Sequence, residues 1–371
     1  MIAQYSAFFY ILYRMLLSLF PSEILSNILE YSPESTINLI HTGDTLLRLK
    51  MRYRSSAMIF RERELNQLIK YKLNLVSIKA AFCPSVESIL SLSSLETLNL
   101  SRCRLTYIPS ELSSLSSLKV LNLFDNELTS IPSDLCFLPL LERLSLSYNQ
   151  LRSIPAEFGS LSSLETLFLD HNQLTYIPSG LGSLLSLKKL DLYSNQLTSI
   201  PAELGFLSSL KFLNLGSNEL TSIPTELSSL SSLEVLGLYS NCLTSVPSEL
   251  GYLSSLQELH LSDNKLISIP SELGSLSSLK TLNLGSNKLT GIPSELSALS
   301  SLETLTLSSN QLTSIPSELS SLSSLVRLFL TNNKLTEIPT ELVSLRSLQI
   351  LTLFHNKLTK PIIAPNVSAY I

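Results

Sequence analysis

The sequence predicts an α/β protein: a right-handed solenoid bent like a horseshoe, with a parallel sheet on its concave side and short helical or 3-10 turns on its convex side, preceded by a small all-α domain. Three observations carry this. A Leu-x-x-Leu-x-Leu-x-x-Asn-x-Leu pattern recurs in twelve units at one unvarying step, beginning at Leu95, Leu118 and Leu141 and so on to Leu348, with no insertion between them. Composition follows the pattern: of 371 residues about a quarter are Leu, Trp is absent, and only 15% are charged, where roughly 25% is ordinary. Residues 1–80 lack the pattern and carry ten Lys/Arg against six Asp/Glu, a net of +4, which leaves −8 for the remainder of a chain of net charge −4. At 44% hydrophobic the chain can bury a large core, which excludes global disorder. Its small net charge gives no reason to expect nucleic acid or a membrane surface as partner.

The N-terminal elements come first. Residues 1–14 form an apolar segment that continues to Phe20. It makes a poor secretion leader, with Arg14 in mid-run and no small-residue cleavage site before Pro21. It is also shorter than the roughly 20 apolar residues of a membrane-spanning helix. Residues 15–55 read as three short amphipathic helices. Pro21 and Glu23 suit the first turn of one helix, with Ile24, Leu25, Ile28 and Leu29 as its apolar stripe. Ser32-Pro33-Glu34 breaks the chain, a second helix carries Ile37, Leu39 and Ile40, and a third apolar set follows at Leu46, Leu47 and Leu49. With the opening Phe20-Pro21-Ser22-Glu23-Ile24-Leu25-Ser26-Asn27-Ile28-Leu29, this segment resembles an F-box. It departs from that pattern at Phe20, where Leu is usual, and at His41-Thr42-Gly43-Asp44. The resemblance implies a dock for the small acidic adaptor of cullin-type ubiquitin ligases through Leu19, Phe20, Pro21, Ile24, Leu25 and Ile28. The other reading of the same residues is a plain helical cap, since the open end of a solenoid needs shielding. Residues 56–91 are expected to hold a basic amphipathic linker helix over 56–72, with Arg61, Arg63, Lys70 and Lys72 on its solvated face, and then the N-terminal cap of the solenoid.

Residues 92–360 hold the twelve units. In Leu-x-x-Leu-x-Leu the last two Leu alternate with outward residues, as in a short strand buried on one face. Stacked at about 4.8 Å per strand, twelve coils give an inner face roughly 55 Å long. The Asn of each unit, Asn126 to Asn356 in all but the first, stands where the chain leaves the strand. There its amide can satisfy turn backbone groups that would otherwise be buried unpaired. Cys103 takes this slot in the first unit. The Ile-Pro pair that follows ends the turn, because Pro fixes φ and cannot donate to a ladder; Ser and Glu after it suit a first helical turn. These motifs resemble the leucine-rich repeat family. The Ile-Pro-x-Glu-Leu form is similar to intracellular scaffold repeats that bind Ras-type small GTPases, and it lacks the Cys-rich caps usual in extracellular members. An intracellular place, cytoplasmic or nuclear, is what that resemblance implies. Residues 361–371 are a tail, in which Pro361 and Pro365 are expected to blunt the last sheet edge.

No catalytic constellation is legible. His171, His260 and His355 stand four coils apart, about 19 Å at strand spacing, too far to share a proton or metal. Cys83, Cys103, Cys136 and Cys242 form no Cys-x-x-Cys pair, so no zinc site is expected. The expectation is a non-enzyme with no cofactor, no metal and no small-molecule substrate.

Within so regular a chain, departure from the repeat is the informative signal. The outer segments are nearly constant and read as scaffold. The outward strand positions vary, and Phe124, Tyr148, Phe168, His171, Tyr193, Phe212 and Tyr239 fall there in units two to seven, with Asp125, Asp170 and Asp191 among them. Exposed aromatics beside charges on a concave sheet suit protein-binding anchors, which bury much area at little entropic cost. A basic row, Lys265, Lys288, Lys334 and Lys357, lies toward the C-terminal end near Phe329, Phe354 and His355. The expected function is non-catalytic protein–protein recognition. Three settings fit it: a substrate receptor of a cullin-type ligase, a scaffold for a small GTPase or other signalling protein, and an effector or adhesin.

Overall fold

The computed structural model describes residues 37–38, 55–59, 75–80, 89–90, 92–343, 345–359 and 368–370. Among these, sixteen strands make one sheet in strict chain order, all parallel, from β1 (Ile37–Asn38) to β16 (Ser368–Tyr370). From β4 (Thr97–Asn99) to β15 (Ile350–Thr352) each residue pairs with its equivalent one repeat further on, as Thr97 lies opposite Val120 and Arg327 opposite Ile350. The alternation does what the sequence predicts. In β9 (Phe212–Asn214) Leu213 is fully buried, as is Leu215 just beyond it, whereas Phe212 and Asn214 are half-buried on the outward face.

The convex side carries ten 3-10 helices among the described residues, from Ser110–Ser114 to Ser317–Ser321, each with the repeat's Pro as N-cap. The eleventh unit instead winds into a short α-helix, α1 (Thr340–Val343). Each 3-10 turn sends a large residue into the core, such as Leu112, Phe158 or Leu227.

The Asn ladder joins one coil to the next. Asn126 Oδ1 accepts the backbone N–H of Cys103 at 3.0 Å and of Leu105 at 2.9 Å, while Nδ2 donates to the carbonyls of Leu100 and Leu123, both at 2.9 Å. The later coils repeat this bridge. In the first unit Cys103 is buried in the Asn slot and its thiol lies against the Ser101 carbonyl, at 3.7 Å.

Two expectations need correction. An all-α N-terminal domain does not describe the strands found there: β1 stands where a second helix was expected, and β2 (Ser55–Ile59) stands at the start of the expected linker helix. With β3 (Leu75–Ala80) they carry the sheet back in shorter steps than the repeat's, Ile37 opposite Ala57 and Ile78 opposite Leu98. The physical reason is that short apolar runs read equally as helix or strand, and the open edge of β4 offers backbone groups that a strand satisfies and a helix does not. At the other end, β16 extends the sheet beyond both prolines, pairing Ser368 with Ile350. A Pro removes a donor only at its own position, so the two prolines do not end the ladder. The expected adaptor-docking residues Leu19, Phe20, Pro21, Ile24, Leu25 and Ile28 lie outside the described residues.

Candidate protein-binding surface

The residue before the ladder Asn sits at positive φ in every unit, and most units put Ser, Asp or Asn there. Short polar residues tolerate this left-handed conformation, and bulky ones are uncommon in it. Tyr148 and His171 occupy it at φ 55° and 53°, as Arg102 and His355 do in the first and last units; His, like Asn and Asp, is enriched in this conformation. Tyr148 is therefore the ring held on backbone that bulky residues seldom adopt.

Tyr148 and His171 belong to a continuous ladder. Phe124 meets Tyr148 at 5.2 Å between centroids, Tyr148 stacks on His171 at 4.0 Å, His171 meets Tyr193 edge-on at 5.1 Å, and Tyr193 meets Tyr239 at 5.8 Å. The last contact skips a coil. Gly216 is the residue in between, and a Cβ there would lie 2.5 Å from the Tyr239 ring. The missing side chain is what lets Tyr239 lean back to Tyr193. Phe168 and Phe212 do not join. They form a second row around Lys189, whose Nζ lies 5.0 and 4.4 Å from their ring centroids. Of the seven aromatic positions only Tyr148 is strongly exposed, at 46%. The others are half-buried, the ladder rings against one another and Phe168 and Phe212 against Lys189.

Acidic groups line this ladder. Asp170 accepts a hydrogen bond from the Ser147 hydroxyl. Asp191 accepts the Tyr193 N–H at 3.2 Å. Burial lifts the Asp191 carboxyl above the usual carboxylate range and the Asp170 charge adds to this, while the Tyr193 N–H, Lys189 and Asn214 oppose it. Burial likewise raises the Tyr239 phenol, with the Asn214 hydrogen bond opposing. Asn214 thus lies beside both Asp191 and Tyr239 and accepts the Gly216 N–H at 3.1 Å; Gly237 leaves its amide space, since a Cβ there would lie 2.8 Å from Asn214 Oδ1. Sequence reasoning missed Asn214, Gly216 and Gly237. Their signal is visible in hindsight: small or amide residues at the outward positions between the ring-bearing coils.

The basic row is less organised. Lys265 Nζ lies 3.4 Å from Cys242 Sγ, and Lys334 Nζ donates to Gln311 at 3.1 Å. Phe354 and His355 are exposed nearby, and Phe329 is half-buried. The convex side is not uniformly polar either: Phe137, Phe206 and Tyr252 are each more than 60% exposed there. Among the described residues no group of His, Cys, Asp and Glu could hold a metal, and no helix is long and apolar enough to cross a membrane.

Comparison with known proteins accords with this architecture. Family models of leucine-rich repeats match residues 93–136, 116–174, 169–288, 278–299 and 300–358. A solved leucine-rich repeat protein of Leptospira interrogans superposes with TM-score 0.77 and 34% identity over 85% of this chain and 82% of its own. The chain belongs to the leucine-rich repeat family. An internalin of Listeria monocytogenes is similar at TM-score 0.70 and 27% identity, over 83% of this leucine-rich repeat chain and 88% of the internalin. So is the leucine-rich repeat ectodomain of an Arabidopsis thaliana membrane receptor kinase, solved in complex with Casparian strip integrity factor 2, at TM-score 0.56 and 32% identity. In that case 82% of this chain matches 44% of the other. No curated protein matches this leucine-rich repeat sequence. The family matches begin at residue 93, so they do not reach the F-box-like segment.

Proposed function

We propose that this leucine-rich repeat protein recognises a partner protein on the outward sheet face of units two to seven, without catalysis. The observation that carries this is the aromatic ladder: five rings in unbroken contact, two of them on positive-φ backbone, at positions that most other coils fill with Ser, Gly, Asp or Asn. Aromatic anchors in such clusters dominate binding energy, each costing about 2 kcal/mol or more on truncation. The related plant ectodomain, solved in complex with Casparian strip integrity factor 2, supports the reading by analogy of fold. The test replaces Tyr148 and Tyr193 by Ala and compares partner capture with that of the wild type from the same extract. Recovery is expected to fall at least tenfold while solubility and far-UV circular dichroism stay unchanged; equal recovery from a folded variant overturns the proposal. An adaptor dock at Leu19–Ile28 would extend this role to that of a ubiquitin-ligase substrate receptor. What supports the extension is the sequence of residues 20–29 alone.

A further inference from the structure

One end of the ladder, and the row of rings beside it, are capped by the chain's own cations; the rest of the ladder is bare. At one end the Arg102 guanidinium lies 5.7 Å from the Phe124 ring centroid and pairs with Asp125 at 3.0 Å. Beside it, Lys189 fills the gap between Phe168 and Phe212. Each is a cation held over a ring face, an interaction favoured by the ring quadrupole. Elsewhere in the ladder, Tyr148, His171, Tyr193 and Tyr239 carry no cation over their rings among the described residues. Asp170 and Asp191, the carboxylates beside them, make no ion pair among the described residues. By contrast the Lys and Glu row along the strand starts is largely self-paired, Lys119 with Glu96, Lys188 with Glu165 and Lys211 with Glu234. The middle of the ladder thus combines aromatic faces with two adjacent carboxylates that no cation contacts directly, Lys189 acting on Asp191 only at longer range.

We propose that this middle segment takes an arginine side chain presented by an extended stretch of the partner protein, stacked on the tyrosines and paired with Asp170 and Asp191. Arginine fits better than lysine, because a planar guanidinium can stack on a ring and pair with carboxylates in the same pose. An extended stretch fits better than a globular knob. The rings run across successive strands for about 20 Å at strand spacing, the reach of roughly six extended residues. Relief of repulsion between the two aspartates adds to the attraction. The half-buried setting lowers the screening that makes exposed pairs weak.

This inference rests on the recognition reading above, and its test separates the two. A display library of random twelve-residue peptides is selected on the full-length chain, then on Tyr148→Ala/Tyr193→Ala and on Asp170→Asn/Asp191→Asn. The Asn replacements keep shape and hydrogen-bond acceptance. The expected result is a selected set enriched in Arg at a fixed position. Replacing that Arg by citrulline should then weaken binding about tenfold or more for the wild type and much less for the double Asn variant, a coupling that additive effects would not produce. Peptides that depend on Tyr148 and Tyr193 but carry no excess of Arg overturn the arginine proposal and leave the recognition reading standing. Selection of no peptide, or of peptides that ignore the tyrosines, overturns both.

Discussion

Asn218 shows what one side chain does in each coil. Its Oδ1 accepts the Leu197 N–H at 3.0 Å, and its Nδ2 donates to the carbonyls of Leu192 and Leu215 at 3.0 and 3.1 Å. Replacement by Ala would strand these buried groups, each worth about 1–3 kcal/mol when left unsatisfied. Asn218→Ala should therefore lower unfolding free energy by about 3 kcal/mol, measured by urea denaturation, whereas a neighbour such as Ser217 changed to Ala should shift it by well under about 1 kcal/mol. Cys136 makes a different residue-scale prediction. Burial, with Glu157 and Asp134 nearby, pushes its thiol up to about 12. Thiolate, the reactive form, is therefore scarce at neutral pH and stays scarce until strongly alkaline conditions. In native protein at pH 8, iodoacetamide followed by peptide mapping should label half-exposed Cys242 and leave Cys136 unlabelled until denaturant is added. Labelling of both at one rate would refute this. The roles of the ladder Asn and of the inward Leu were legible in the sequence because each is fixed by its own place in the repeat. The role of Gly216 was not, because its meaning comes from the Tyr239 ring of the next coil, which leans over it.

At the scale of the element, the 3-10 turns stack so tightly that glycine becomes a spacing device at some coils. A Cβ on Gly205 would lie 2.2 Å from the Glu226 carbonyl oxygen of the next turn, whereas Gly291 has nothing within 4 Å. Gly205→Ala should destabilise by about 1–3 kcal/mol, since the clash is with backbone and the coils must separate. Gly291→Ala should be neutral or slightly stabilising through the unfolded chain. Thermal melts of the two variants side by side check this, and equal melting temperatures would count against it. The strand and turn periods of units one to twelve were legible because apolar alternation and Ile-Pro recur without drift. β1 to β3 were not, because their runs are short and their pairing is dictated by the neighbouring edge rather than by their own periodicity. Phe168 and Phe212 were read correctly as outward residues, but their capture by Lys189 depends on ring direction across three coils, which spacing alone does not fix.

At the scale of the whole molecule, each coil bonds only to its neighbours, and stability is close to a sum of coil and interface terms. Removing one complete period should then leave register intact. Deleting 279–301 should give a folded, somewhat less stable protein that still binds its partner, because the ladder lies in units two to seven. Deleting 164–186 should fold equally well yet lose binding, because His171 leaves the stack between Tyr148 and Tyr193. Circular dichroism and partner capture on both deletions test this; loss of binding in both, with both folded, would place recognition elsewhere. The overall architecture was legible because one motif is written twelve times. The candidate site was legible only as a set of departures from that motif, and how those departures touch one another is a property of the stacked coils.

The unvarying step of the repeat also governs how the molecule yields to force. Pulled from an end, a chain whose coils hold only to the next has no single seam to tear. It pays out length in near-equal quanta, each about 80 Å of extended chain, and the coils still stacked keep their recognition surface while those beyond them are drawn straight.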